Sequence, residues 1–187
     1  MKLFHNRPFA MLVGAKVFQF LSFASVATTG VFFMLNVLRI GYEGQFHFSI
    51  GMNVVTALSM PICVRLGATI GKRKTYLLGV MCHCVGTLSW LLADESITLV
   101  GIYARSLISG FGSGAIILMS ISMLGDTMAY DRRLSVLQRE GLMSATIAVV
   151  EKTTFALGLA LVGFYLKWVG YIPTVGGALV EQPQSAI

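Results

Sequence analysis

The chain has 187 residues, of which 56% are hydrophobic and only 12% are charged, with a formal net charge of +6. A soluble domain carries about 25% charged residues, so this composition excludes an ordinary soluble fold and favours a helical membrane protein. The basic residues stand in short segments between apolar blocks and form no basic face, which argues against a nucleic-acid partner.

Five apolar blocks follow one another along the chain, at lengths typical of helices that cross a bilayer. We therefore predict an all-α, polytopic transmembrane helical bundle of about five spans, surrounded by membrane lipid. The tail at 170–187 is too polar and too often interrupted by glycine and proline to form another span. The predicted spans lie at about 9–38, 46–66, 76–92, 97–124 and 142–169.

Isolated polar residues interrupt the first three blocks. For Lys16 two interpretations stay open, because its side chain could reach back to the near interface or face a central cavity. Asn53 is expected to form a hydrogen bond between helices. Cys82-His83-Cys84 looks like a metal-binding trio, but the two cysteines would point to nearly opposite sides of a helix, so we predict packing instead.

Small residues in the last two blocks indicate close helix packing. Gly110 and Gly114 form a G-x-x-x-G pair, a spacing that lets helix backbones approach each other. Gly158 and Gly163 favour the same role in the fifth block. The sequence contains no Ser–His–Asp set, metal-ligand cluster or phosphate loop, so it predicts no cofactor and no enzyme activity.

Charged residues far inside the blocks are candidates for a solute or ion pathway. A charge at that depth is costly unless it faces a partner or water. Glu151 and Lys152 are adjacent and would not face each other on a helix, so we expect an Arg105–Glu151 pair that leaves Lys152 free to face a cavity. A purely structural Lys–Glu–Arg cluster is the alternative. The candidates are Lys16, Arg105, Glu151 and Lys152.

The most polar passage is predicted to be one short loop between the fourth and fifth spans. Its acidic and basic side chains could form charge pairs that open and close a gate, whereas the alternative is a solvated loop that only fixes orientation. A basic turn between the second and third spans contains Lys72, Arg73 and Lys74. The loop candidates are Asp126, Asp131, Arg132, Arg133, Arg139 and Glu140.

The distribution of basic residues predicts the orientation. With a cytoplasmic N-terminus and alternating spans, only Arg39 and Lys167 fall on the outer side, which places the C-terminus outside. Nine basic residues then fall on the cytoplasmic side, namely Lys2, Arg7, Arg65, Lys72, Arg73, Lys74, Arg132, Arg133 and Arg139.

Several of these passages together resemble a known family. D-T-M-A-Y-D-R-R at 126–133, R-E-G at 139–141, E-K at 151–152 and A-L-G-L-A-L-V-G at 156–163 look like the glycoside–pentoside–hexuronide cation symporters. These are the melibiose-permease-like branch of the major facilitator superfamily. N-R-P-F at 6–9 resembles the entry to the seventh helix, and G-K-R-K at 71–74 resembles the basic turn between the eighth and ninth. That turn lacks the acidic residue of the fuller superfamily motif.

The resemblance implies a partial major-facilitator fold, from the seventh to the eleventh helix, in the cell's inner membrane. It further implies a functional lysine at Lys152 and a missing N-terminal half, which in the family holds the acidic cation site. A complete carrier of this type would move a sugar or related small solute with Na+ or H+ by alternating access. The alternative is a truncated membrane fragment that does not transport, or one subunit of a split carrier.

Overall fold

The computed structural model describes residues 6–94, 97–135 and 139–171. Within these ranges the chain forms helices joined by short connections and contains no strand. Five helices in these ranges are long and apolar enough to cross a membrane, which confirms the predicted all-α transmembrane bundle. The chain is therefore a multi-pass membrane protein.

Most helices extend beyond the predicted apolar blocks. In chain order they are α1 at Arg7–Phe32, continued by a π-helical turn at Phe33–Val37, α2 at Gly41–Ile70, α3 at Lys72–Leu88, continued by a 3-10 turn at Ser89–Leu92, α4 at Leu99–Ser135, and α5 at Glu140–Trp168. Nearly all of the predicted tail, from residue 172 onward, lies outside the described residues.

Local sequence explains how α1 begins and how α2 passes into α3. The Asn6 side chain accepts a hydrogen bond from the backbone N–H of Phe9 at 3.4 Å and so caps α1. Pro8 stands in the first turn, where its missing N–H costs no helical hydrogen bond. Gly71 joins α2 to α3 with φ at +93°, a backbone conformation that glycine adopts readily because it has no Cβ.

Helix α4 corrects the prediction of a single polar loop. Its 37 residues extend about 55 Å at 1.5 Å per residue, well beyond a hydrocarbon core of about 30 Å. Residues Asp126 through Arg133 therefore lie on the last turns of α4, because helical hydrogen bonding continues after the chain leaves the apolar layer. Arg139 precedes α5, and Glu140 is the first residue of α5.

Helices α2, α3 and α4 pack into one group, and glycines of α4 permit close contact on two sides. A Cβ at Gly110 would lie 2.7 Å from the carbonyl oxygen of Met52 on α2. A Cβ at Gly112 would lie 2.5 Å from the backbone nitrogen of His83 on α3. Gly114 also faces α2 directly, so the packing role predicted for the G-x-x-x-G pair is confirmed.

Helices α1 and α5 pack against each other as a separate pair. A Cβ at Gly158 would lie 2.6 Å from the Cβ of Ala24, so the packing role of Gly158 is confirmed. Gly163 has nothing within 4 Å of its Cβ position in the part of the chain that the structure describes. No described helix therefore packs closely against Gly163, in contrast to the prediction.

One contact between the α1–α5 pair and the α2–α3–α4 group lies at one end of the bundle. Phe9, Met143 and Ile147 form a buried cluster there, against which Leu124 and Met128 pack. This end brings together the starts of α1, α3 and α5 and the ends of α2 and α4. We call it the basic end, since it holds the basic turn and the charged end of α4.

Candidate functional site

A cavity of about 550 Å³ lies between the α1–α5 pair and the α2–α3–α4 group. It occupies the half of the bundle away from the basic end, since α1 contributes residues from Phe23 onward and α3 from His83 onward. Pockets of about 300–1,000 Å³ suit small organic ligands. Its lining is Phe23, Val26, Ala27, Thr29, Gly30, Val31, Phe33, Met34, Gln45, Phe48, Ser49, Met52, Asn53, Thr56, His83, Thr87, Trp90, Leu91, Ser109, Ser113, Ile117 and Phe155.

The lining is aromatic, aliphatic or neutral polar. Among the residues that the structure describes, the lining includes no Asp, Glu, Lys or Arg, so none of the candidate pathway charges faces this cavity. Phe48 and Trp90 pack edge to face, with ring centroids 5.2 Å apart. The cavity therefore offers apolar ring faces together with hydroxyl and amide groups, and it suits an uncharged surface of a ligand.

His83 anchors the cavity wall where α1, α3 and α4 meet. Its Nδ1 lies 3.2 Å from the Ser113 hydroxyl, and its ring packs edge-on against Phe23 at a centroid distance of 5.3 Å. The residue is only 6% exposed, which confirms the predicted packing. Its Nε2 atom is buried and forms no hydrogen bond with any described residue.

A polar line along α2 forms part of the lining and was missed by sequence reasoning. Gln45, Ser49, Asn53 and Thr56 recur at helical spacing and so share one face of α2. That spacing was the available signal. Asn53 was expected to bond to another helix, and this prediction is wrong, because its Nδ2 donates to the Ser49 carbonyl of its own helix at 2.8 Å.

Lys16 of α1 and Glu151 of α5 form an ion pair inside the bundle. The Lys16 Nζ lies 2.7 Å from Oε1 of Glu151 and 5.3 Å from the ring centroid of Phe20. The Lys16 side chain is only 5% exposed, whereas that of Glu151 is 29% exposed. The Lys16 side chain thus points to Glu151 inside the bundle and not back to the near interface, and it does not line the cavity described above either.

Arg105 does not bind Glu151, so the predicted pair between them is wrong. Its Nε donates to the Ser89 carbonyl and its Nη1 to the Gly101 carbonyl, each at 3.2 Å. Its guanidinium also lies 5.3 Å from the ring centroid of Trp90. The physical reason is depth, since Arg105 follows the start of α4 by less than two turns and lies near the opposite end.

Lys152 stands on the exposed surface of α5, far from either end of the helix. No carboxylate among the described residues lies within ion-pair distance of it. The adjacent carboxylate, Glu151, pairs with Lys16. Lys152 therefore stands in the middle of a span with no carboxylate partner among the residues that the structure describes.

Three polar contacts join helices at the basic end. Nζ of Lys72 on α3 lies 2.7 Å and 2.6 Å from the two carboxylate oxygens of Asp126 on α4. The Asn6 side-chain amide donates to Oδ1 of Asp131 at 3.2 Å and thereby joins α1 to α4. A longer contact of 3.6 Å connects Arg132 and Glu140 across the α4–α5 connection.

These contacts change the pairing expected within the polar passage. Asp126 was expected to pair with arginines of the same passage, and it pairs instead with Lys72 of the basic turn, because α3 and α4 pack side by side. Arg73, Lys74 and Arg133 have exposed side chains.

Comparison with known proteins identifies the family. The family model described as MFS/sugar transport protein matches residues 1–187, the whole chain. An uncharacterized symporter of Synechocystis sp. is 25% identical over 186 residues, covering 98% of this chain and 34% of that protein. A glucuronide carrier protein homolog of Escherichia coli is 27% identical over 169 residues, covering 89% of this chain and 36% of that protein. No solved structure matches the chain significantly.

A putative sulfoquinovose importer of Escherichia coli is 25% identical over 178 residues, covering 92% of this chain and 36% of that protein. The chain thus spans about a third of the length of the curated relatives it matches. These matches confirm the resemblance to glycoside–pentoside–hexuronide carriers. The chain belongs to the MFS/sugar transport protein family of the major facilitator superfamily.

Proposed function

We propose that this chain acts as the C-terminal helical bundle of a secondary active transporter that moves a sugar or a related small solute with Na+ or H+. The observation that carries the proposal is the ligand-sized cavity between the two helix groups of a chain from a transporter family. Secondary transporters hold their solute near the middle of the membrane between helical repeats, and they expose it alternately to the two sides.

The cavity chemistry supports a sugar-like solute. Trp90 and Phe48 present flat apolar surfaces, while Gln45 and Asn53 contribute amide groups. A sugar ring needs both, because its C–H faces are apolar and its hydroxyls need hydrogen-bond partners. Matched relatives named for glucuronide and for sulfoquinovose support the same class of solute.

Ionisable groups inside the spans are the proposed route for the coupling ion. Charged side chains in a membrane are costly and mark ion or solute pathways. Glu151 uses one carboxylate oxygen to bind Lys16 and remains partly exposed, so a cation could compete with Lys16 for it. Two further ionisable residues belong to this proposed route. Lys152 follows Glu151 on α5, and Arg105 lies on α4 near the end of the bundle opposite the basic end.

The contacts at the basic end are the proposed gate. Alternating access requires contacts that form in one state and break in the other. The Lys72–Asp126 and Arg132–Glu140 pairs are exposed and therefore inexpensive to break. We further propose that the chain lies in the inner membrane of the cell. The basic end then faces the cytoplasm, in agreement with the distribution of basic residues.

The proposed transporter also requires a second helical bundle as the partner of this one. The exposed cation Lys152 and the limited coverage of the relatives support a missing N-terminal half, supplied by further chain or by another subunit. The same coverage favours one alternative function, in which this bundle is a non-transporting membrane fragment or one subunit of a split carrier.

Reconstitution in liposomes tests the proposal. The chain is purified alone, or together with the N-terminal half of the Synechocystis symporter, and uptake of labelled glucuronate and glucose is measured under a Na+ or a proton gradient. We expect saturable, gradient-dependent uptake only with both halves. Saturable uptake by the chain alone would show that no second bundle is needed, whereas absence of uptake by the pair would favour the non-transporting fragment.

A further inference from the structure

Two residues of the cavity wall carry polar atoms that have no hydrogen-bond partner among the described residues. Three buried side-chain atoms in this part of the chain form no hydrogen bond, namely Nε2 of His83, Oε1 of Gln45 and Oε1 of Gln19. His83 and Gln45 both line the cavity, whereas Gln19 does not. A buried polar atom without a partner is costly, so its presence in the wall of a ligand-sized cavity points to a partner that enters the cavity.

The imidazole of His83 is held at Nδ1, which leaves Nε2 for another group. Nδ1 lies 3.2 Å from the Ser113 hydroxyl, and the whole residue is only 6% exposed. Helices α3 and α4 also pack without a gap at this point, since a Cβ at Gly112 would lie 2.5 Å from the backbone nitrogen of His83. The ring therefore has a fixed position before a ligand arrives, and a fixed polar group loses little conformational entropy on binding.

Phe23 closes off the imidazole in this conformation. The two rings pack edge to face, with centroids 5.3 Å apart, and Phe23 lines the same cavity. Phe23 belongs to α1, so this contact connects the α1–α5 pair to the α2–α3–α4 group. Alternating access moves helices relative to one another. A displacement of α1 from α3 would take Phe23 away and open the imidazole to the cavity.

We propose that Nε2 of His83 forms a hydrogen bond with a hydroxyl group of the solute once Phe23 has moved aside, and that His83 is thereby a specificity-determining residue of the carrier. This inference rests on the proposed function and assigns a residue of α3 to its solute site. A hydroxyl suits Nε2 in either tautomer, because it accepts from an N–H and donates to a bare nitrogen. A solute without that hydroxyl leaves Nε2 unpaired and binds more weakly.

Two amide substitutions separate this role from a structural one. A glutamine amide reaches roughly the position of Nε2, whereas the shorter asparagine amide reaches roughly that of Nδ1. His83→Gln therefore keeps a group for the solute and loses the contact with Ser113, and His83→Asn does the reverse. If Nε2 binds the solute, His83→Gln retains the higher affinity. A merely structural role through Ser113 predicts the opposite order.

Calorimetric titration of the full chain in lipid nanodiscs measures this order, with glucose and a set of monodeoxy glucoses as probes. We expect His83→Asn to bind glucose about two- to tenfold more weakly than the unaltered chain, and His83→Gln to recover most of the loss. One monodeoxy glucose should bind the unaltered chain more weakly by a similar factor. The same analogue should bind His83→Asn as tightly as glucose does, because the contact that it lacks is already absent.

The matched control is His47→Asn. Nδ1 of His47 lies 2.9 Å from the Tyr103 hydroxyl, and His47 does not line the cavity, so this variant should leave every affinity unchanged. Equal glucose affinities in His83→Asn and the unaltered chain would overturn the inference. So would weaker binding by His83→Gln than by His83→Asn, an equal loss in His47→Asn, or no binding of glucose to the unaltered chain.

Uptake and binding separate this inference from the proposed function. A reassembled carrier that takes up glucose with the same KM with or without His83→Asn would uphold transport and overturn the His83 contact. Binding that depends on His83 as expected, in a reassembled carrier that takes up no glucose, would uphold the contact and overturn transport.

Discussion

The Nζ atom of Lys16 lies 2.7 Å from Oε1 of Glu151, and this contact ties α1 to α5 between the apolar cluster of the basic end and the cavity. The partners are unequally buried, since the lysine side chain is 5% exposed and the glutamate side chain 29%. Loss of the carboxylate would leave a buried ammonium without its counter-charge, whereas loss of the lysine would leave a carboxylate that is partly exposed.

Glu151→Gln should therefore destabilise the bundle by about 3 kcal/mol, and Lys16→Met should destabilise it less. The double variant Lys16→Met/Glu151→Gln should recover most of the loss, because neither charge remains. Denaturant unfolding in detergent micelles, analysed as a double-mutant cycle, measures the coupling between the two residues. Additive losses in the double variant would show that the pair contributes no stability.

Glycine packing on α4 predicts a contrast between two alanine substitutions. Gly112→Ala should cost about 1–3 kcal/mol, because its Cβ would stand 2.5 Å from the backbone nitrogen of His83, which cannot move aside alone. Gly163→Ala meets no described atom within 4 Å and should be neutral or stabilise by up to about 1 kcal/mol through helix propensity. Thermal unfolding of both variants gives the comparison. Equal losses would show that packing does not decide the effect.

The Lys72–Asp126 contact should matter more for transport than for stability. Both side chains are exposed, at 38% and 61%, so Asp126→Asn should change the free energy of unfolding by less than about 1 kcal/mol. In a reassembled carrier we expect the same variant to slow uptake while solute binding survives. The charge exchange Lys72→Asp/Asp126→Lys should restore the rate, and Asp94→Asn at the opposite end serves as the control. Normal uptake by Asp126→Asn would favour a loop that only fixes orientation.

Orientation can be tested with single cysteines in a background without Cys63, Cys82 and Cys84. We expect an impermeant thiol reagent added to whole cells to label Asp94→Cys, in the α3–α4 connection, and not Lys74→Cys, at the basic end. The reason is the excess of basic residues at the end that holds Lys74. Permeabilised cells should show labelling at both positions. Labelling of Lys74→Cys alone in intact cells would reverse the proposed topology.

Local properties of the chain could be predicted from the amino-acid order. The length of each apolar block predicted a membrane-crossing helix, because the hydrocarbon thickness sets that length independently of the neighbours. Packing at Gly110, Gly114 and Gly158 was also predictable, since a missing side chain permits close approach by whichever helix is adjacent. The charged passage could be located, but its helical conformation depended on how far α4 continues beyond the membrane.

Pairing and enclosure depended on the tertiary structure. Glu151 has Lys16 as its partner because α1 packs beside α5 at that depth, and neither adjacency nor depth is visible in a single block. Gln45, Asn53 and His83 line one cavity only because α2 and α3 both face the gap beside α1. Apolar length is a property of each segment alone, whereas a counter-charge or a cavity wall is a relation between segments that folding brings together.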